Sequence, residues 1–188
     1  MSTARSTNPG LPTDMTVDEF LIWAEGRPGR HELHDGAVVA MAPERVGHAD
    51  AKGKVYRALA DAIDRAKLPC RALPDGATVR IDSKVSFEPD ALVYCGDRLA
   101  NDVVEVPNPV IVVEVLSPST QHIDVGPKLS GYFSKPSIAH YLIIAPGKRP
   151  LIHHQRQADG TILTRLANGG EVLLEPPGLS LDVDALYG

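Results

Sequence analysis

The chain has 188 residues, 43% of them hydrophobic and 23% charged, with a net charge of −5 at neutral pH. That is enough chain for one substantial core, at the apolar content of an ordinary soluble domain. The acidic balance argues against a protein that coats nucleic acid through bulk positive charge, and no apolar run is long enough to span a bilayer.

Residues 1–13 are polar and rich in Ser, Thr and Pro, the composition of a disordered lead-in, so a single domain is expected over 14–188. No charged stretch followed by an apolar one opens the chain. A secretory signal is therefore not expected, and the default location is cytoplasmic. Thr16 and Glu19 have capping-box spacing, which predicts a helix with Phe20, Leu21 and Trp23 on its apolar face, ended by Gly26–Gly29. HELHDGAVVAM, residues 31–41, reads as a hairpin about Asp35-Gly36, a preferred type I′ pair.

Residues 48–67 carry Val55, Ala58, Leu59, Ala62 and Ile63 at helical spacing, which predicts one long amphipathic helix. Around it, residues 45–71 form a basic stretch containing Arg45, Lys52, Lys54, Arg57, Arg65, Lys67 and Arg71. A solvated helix face is the expectation there, with a phosphate-facing flank as the alternative. Strands are expected near 70–73, 78–81, 90–94 and 110–116, then a short helix over 125–134 with Pro127 in its first turn. Short strands at 140–144, 151–155, 162–166 and 171–174 close the chain. This order predicts an α/β (mixed α+β) fold, a mixed central sheet flanked by helices with extra C-terminal strands. Cys70 and Cys95 form no CxxC pair and are expected to be buried, reduced thiols.

Among the apolar β-branched residues of VIVVEV, 110–115, stands Glu114. A carboxylate in such a strand must find a cation, a proton or several donors. Asp90 follows Pro89 at a strand mouth, since proline suits a strand's first position. If the two strands are neighbours, Asp90 and Glu114 converge. A divalent metal would relieve their repulsion, magnesium being commonly held by one or two carboxylates. The residues alone leave two readings open, a metal site or a structural ion pair.

Several blocks occur together in order: Glu32, Asp35 and Gly36 in HELHDG; His48 opening the long helix; PDALV at 89–93; EVLSPST at 114–120; and Asp124, Lys128 and Tyr132 at spacing four. In this the sequence resembles the Uma-two endonucleases of the restriction-endonuclease-like PD-(D/E)XK superfamily, over nearly the whole chain. The resemblance implies a restriction-endonuclease-like core and a Mg (or Mn)-dependent endonuclease acting on DNA. It implies catalytic roles for Glu32, Asp90, Glu114 and Lys128, with Asp90, Glu114 and the Val115 carbonyl on the metal. Asp124, His48 and Tyr132 would support them. Leu116 stands where E-x-K has its lysine, and the resemblance points to Lys128 instead, whose long stem makes the relocation reasonable. The rival, Lys84, lies in a polar turn and is expected to be exposed. Asp124 would steady Lys128 or cap its helix.

Other polar residues promise less. His153 and His154 are adjacent in a strand, point to opposite faces and are expected at the surface. Ser117 and Ser119 lie in no GxSxG elbow, and no phosphate-binding GxxxxGK[ST] loop is present. A catalytically degenerate binding protein, and a structural protein that dimerises through exposed strands, are the alternatives to the enzyme. A homodimer is expected, and dimerisation is compatible with nuclease function too.

Overall fold

The β-branched run before Glu114 forms a strand covered on both faces, as its lack of alternation demands. The computed structural model describes residues 10–116 and 125–187. In chain order these hold α1 (Val17–Ala24), β1 (His31–His34), β2 (Ala37–Ala40), α2 (Val46–Ala66), β3 (Cys70–Pro74), β4 (Val79–Arg80), β5 (Ser86–Phe87), β6 (Ala91–Cys95) and β7 (Pro109–Val115). There follow α3 (Val125–Ser134), β8 (His140–Ala145), β9 (Lys148–Arg156), β10 (Ile162–Ala167), β11 (Glu171–Leu174) and β12 (Leu179–Asp182). Asp124, Ser117 and Ser119 lie outside the described residues.

The main sheet has the order β10-β9-β8-β7-β6-β3. Its β7–β8 pair is parallel, with α3 between the two strands in sequence, and the other pairs are antiparallel. Val113 and Val115 share a core with Val55, Leu59 and Ile63 of α2. Val112 joins Tyr132 of α3, Phe87, Tyr141 and Ile143 in the core on the other face. Glu114 has the parity of Val112, so strand alternation turns it toward α3. The C-terminal hairpin β11–β12 closes the α2 side with Leu174, Leu179 and Leu181.

A second sheet, β2-β1-β5-β4, carries the N-terminal hairpin. Asp35 and Gly36 have φ of 50° and 80°, the positive values a type I′ turn requires. The Thr16–Glu19 capping box forms on α1 as the spacing predicts. Mixed sheet, flanking helices and extra C-terminal strands are all present.

Four expectations need correction. The strand expected at 78–81 shrinks to Val79–Arg80 and belongs to the small sheet, while β5 and β12 were not foreseen. Cys70 and Cys95 are joined in a disulfide, because antiparallel pairing of β3 with β6 sets them directly opposite each other. His153 and His154 are buried, because β9 is an interior strand with both faces covered. His153 bonds His140 at 2.9 Å, and His154 bonds Thr164 at 2.8 Å. Burial pushes His140 and His153 down to about 4, so both are uncharged at neutral pH. The basic helix face is not all solvated either, since Lys52 is buried.

Gly131 lets α3 lie close to the small sheet. A Cβ there would come within 2.7 Å of Phe87 Cε2. Alanine is the better helix former by about 1 kcal/mol, but overpacking typically costs about 1–3 kcal/mol. Gly131→Ala is therefore expected to lower the stability measured by urea unfolding. A variant as stable as the wild type would show that α3 is not held this closely.

Candidate active site

Antiparallel pairing of β6 with β7 sets Ala91 opposite Val113, so the entry of one strand lies beside the exit of the other. Asp90 and Val115 meet at that point, and the Val115 amide donates to Asp90 Oδ2 at 2.7 Å. The Val115 carbonyl accepts from His48 Nε2 at 2.6 Å. One main-chain residue thus ties α2 and both strands together.

Two charge clusters flank this junction. On the α3 side, Lys128 Nζ donates to Glu32 Oε1 and to Glu114 Oε1, at 2.9 Å each. The Tyr132 hydroxyl donates to the same Glu114 oxygen at 2.6 Å. Lys128 and Tyr132 lie four apart on α3 and so share a face. Glu32 also accepts from the Glu88 amide at 2.9 Å and contacts His34 Nε2 at 2.8 Å. On the α2 side, Lys52 Nζ is 3.0 Å from Asp90 Oδ1 and 2.5 Å from Asp75 Oδ2, and it also contacts Glu44. Arg30 reaches Glu44, Asp75 and Glu88 at 3.1, 2.5 and 2.6 Å.

These surroundings move the titrating groups in opposite directions. Burial pushes Glu114 up to about 7; Asp90 and Glu32 add to the rise, while Lys128 and Tyr132 oppose it. Burial would raise Glu32 as well, but Lys128, His34 and the Glu88 amide bring it down to about 2. Lys128 is lowered by burial and raised further by Glu114 and Glu32, so its net direction is up and it stays protonated. Burial likewise lowers Lys52, and Asp75, Glu44 and Asp90 raise it above the ordinary lysine value. Burial, with Glu114 next, lifts the Tyr132 phenol well above its usual range, leaving it a neutral donor.

Glu32, Asp90, Glu114, Val115, Lys128, Tyr132 and His48 all belong to this centre, whereas Asp124 lies outside the described residues. Lys84 is half-exposed and pairs with Asp14 away from it. The sequence reading missed Lys52, Glu44, Asp75 and Arg30. A signal for two of them exists: Glu44, His48 and Lys52 stand at spacing four, and Lys52 falls on the buried stripe of Val55 and Leu59.

The donor set suits a hard divalent cation. Glu44, Asp75 and Asp90 each offer a carboxylate oxygen, mutually within 4.8 Å, and carboxylate and carbonyl oxygens are the ligands such ions take. Glu114 is not in that triad. It faces the α3 cluster, while Asp90 meets Lys52 and the Val115 amide. Lys52 and Arg30 neutralise the triad in this structure.

Comparison with known proteins follows the same line. The model of the Uma2 family, described as "Putative restriction endonuclease", matches residues 17–185. The "Uncharacterized protein slr1290" of Synechocystis sp. is 27% identical over 183 residues, covering 96% of this chain and 95% of its own. A crystal structure of "a putative nuclease belonging to DUF820" from Anabaena variabilis superposes with a TM-score of 0.69 at 17% identity, covering 92% of this chain and 97% of the other. That last likeness establishes the shared fold. No helix among the described residues is long and apolar enough to cross a membrane.

The two acids should leave opposite marks on stability. Glu114, raised above its reference value of 4.5, costs nothing below that pH. The cost grows as pH rises to about 7 and then holds, on the order of 3 kcal/mol. Glu32, lowered from 4.5, contributes stability above that pH which is lost as pH falls toward 2. In metal-free urea unfolding, Glu114→Gln should gain on wild type between pH 4.5 and 7 and stay level beyond. A difference independent of pH would show that Glu114 is not held this way.

Proposed function

The chain belongs to the Uma2 family of putative restriction endonucleases, and on that premise we propose that it is a divalent-metal-dependent endonuclease cleaving phosphodiester bonds in DNA. The observation that carries this reading is the strand junction of β6 and β7, where Asp90 meets the Val115 amide and Lys52 while neighbouring Glu114 shares Lys128 with Glu32. Asp90, Glu114 and the Val115 carbonyl would hold the ion, Mg or Mn by their hard oxygen chemistry. The Val115 carbonyl already accepts from His48, and a carbonyl has a second lone pair to offer. When bound, the cation supplies Lewis-acid activation of the phosphate and of the attacking water.

The chain's own groups have separable tasks. Lys128, held protonated, is a cation for the charge that builds on the phosphate rather than a base. Glu32 and Glu114 fix its ammonium from two sides, and Tyr132 fixes Glu114. His48 orients the carbonyl of Val115. Lys52 bridges Asp90, Asp75 and Glu44, which lie on separate segments of the chain. Exposed Leu163 on the edge strand β10 supports pairing of two copies into a homodimer.

A second reading has one observation behind it. Lys52, Arg30 and Lys128 between them already pair with the clustered carboxylates, as a network serving only the fold would. Metal separates the two.

The test is calorimetric titration of Mg²⁺ or Mn²⁺ together with plasmid nicking, on wild type, Asp90→Ala and Lys128→Met. Wild type should bind and nick. Asp90→Ala should lose both, and Lys128→Met should lose nicking by about 10²–10³-fold, the usual cost of an electrostatic stabiliser. Failure of wild type to bind either ion at millimolar concentration with DNA present would leave the structural network standing. Metal binding must also expel the Glu114 proton. Affinity should therefore rise about tenfold per pH unit below about 7 and level off above it. A flat profile would place Glu114 off the metal.

A further inference from the structure

Beside the carboxylate triad opens a cleft of about 570 Å³, within the ~300–1,000 Å³ typical of small-molecule sites. Arg30, Asp75 and Glu88 line it and also belong to the charge network of the centre. An occupant of the cleft therefore lies within reach of the groups that surround Asp90. Its apolar lining comes from Phe20, Leu21, Ile22 and Ala24 of α1 and from Val104. Ile22 and Val104 are 74% and 58% exposed, a poor arrangement for large apolar side chains that cover nothing.

The polar lining is acidic. Glu25 and Asp102 add to Asp75 and Glu88, so the cleft repels phosphate and accepts from N–H donors. His31, Thr78 and Arg30 line it too. Nε and Nη1 of Arg30 are taken by Glu88, Glu44 and Asp75, while its buried Nη2 has no partner among the described residues.

We propose that this cleft receives one nucleobase of the substrate, unstacked beside the scissile phosphate, and favours bases with an exocyclic amine (adenine, cytosine or guanine) over thymine. Apolar walls suit the faces of an extruded base, and carboxylates read an exocyclic amine. The phosphate stays outside, at the lysines of the centre. Loading the cleft takes a base out of its stack, which is cheapest in single strands and at frayed or mismatched positions.

The proposal rests on nucleic acid being the substrate, so its test reads binding separately from cleavage. Full-length protein without divalent ions is titrated, by ligand-observed NMR, with deoxyadenosine 5′-monophosphate, thymidine 5′-monophosphate and 2-deoxyribose 5-phosphate. The adenine nucleotide should bind at least tenfold tighter than the base-free sugar phosphate, with thymidine between them. Val104→Trp, which fills the cleft from an exposed position, should lose that tenfold. Asp102→Asn, isosteric and exposed, should narrow the gap between adenine and thymine. Equal binding of the adenine nucleotide and the sugar phosphate would overturn the proposal, as would undiminished adenine binding by a folded Val104→Trp. If Val104→Trp fails to fold, the ligand ranking and Asp102→Asn still decide. Base binding in a protein that nicks nothing would sink the nuclease reading and leave the cleft intact. Nicking by Val104→Trp at the wild-type rate would do the reverse.

Discussion

The ammonium of Lys128 lies between two carboxylates that arrive from different sheets, Glu32 from β1 and Glu114 from β7. All three groups are removed from water, where an unpaired charge is costly and the loss of one partner typically costs about 3–5 kcal/mol. Each of them therefore constrains the others. The α3 helix must sit close enough for its lysine to reach both acids, and Gly131 makes that approach possible by leaving room for Phe87. The small sheet must dock so that Glu32 faces inward, which the hairpin about Asp35-Gly36 arranges. Such a triad is a weak source of net stability and a strong specifier of geometry, as an interior charge is tolerated in few arrangements.

The same economy governs the α2 side. Asp90 is the hinge of the electrostatics, because it accepts from a β7 amide with one oxygen and meets Lys52 with the other. Through Asp75, Glu44, Arg30 and Glu88 the network spreads from α2 to the end of β3 and the start of β1. Positive and negative groups alternate along it. The chain can therefore concentrate several acids at one strand junction without forcing most of them to protonate, and Glu114 carries the residual strain as a raised carboxyl.

Much of this was legible in the residues. Charge inside an apolar strand betrays itself, so Glu114 stood out, and Pro89 marked Asp90 as a strand mouth. Capping-box spacing and the Asp-Gly pair located α1 and the first hairpin. What escaped was information carried by packing rather than by pattern. Lys52 lies in a run of basic residues that looks solvated until its place on the Val55–Leu59 stripe is noticed. Alternation puts His153 and His154 on opposite faces of β9 but does not say that both faces are covered. The partnership of Cys70 and Cys95 depends on the register of β3 against β6, which spacing alone does not reveal. Asp75 sits in a turn and has no local signature at all.

Glu32 and Lys128 are 96 residues apart along the chain, and the strand that holds Glu114 pairs with β8, which is made later still. Contacts of such long range form late, after the loop-closure entropy between them has been met. During synthesis, the N-terminal hairpin and α2 emerge well before α3 exists. A growing polypeptide thus carries Glu32, Lys52 and Asp90 with no Lys128 to organise them, and any activity the finished centre has is withheld until most of the chain has left the ribosome. That delay confines the assembled centre to fully synthesised molecules.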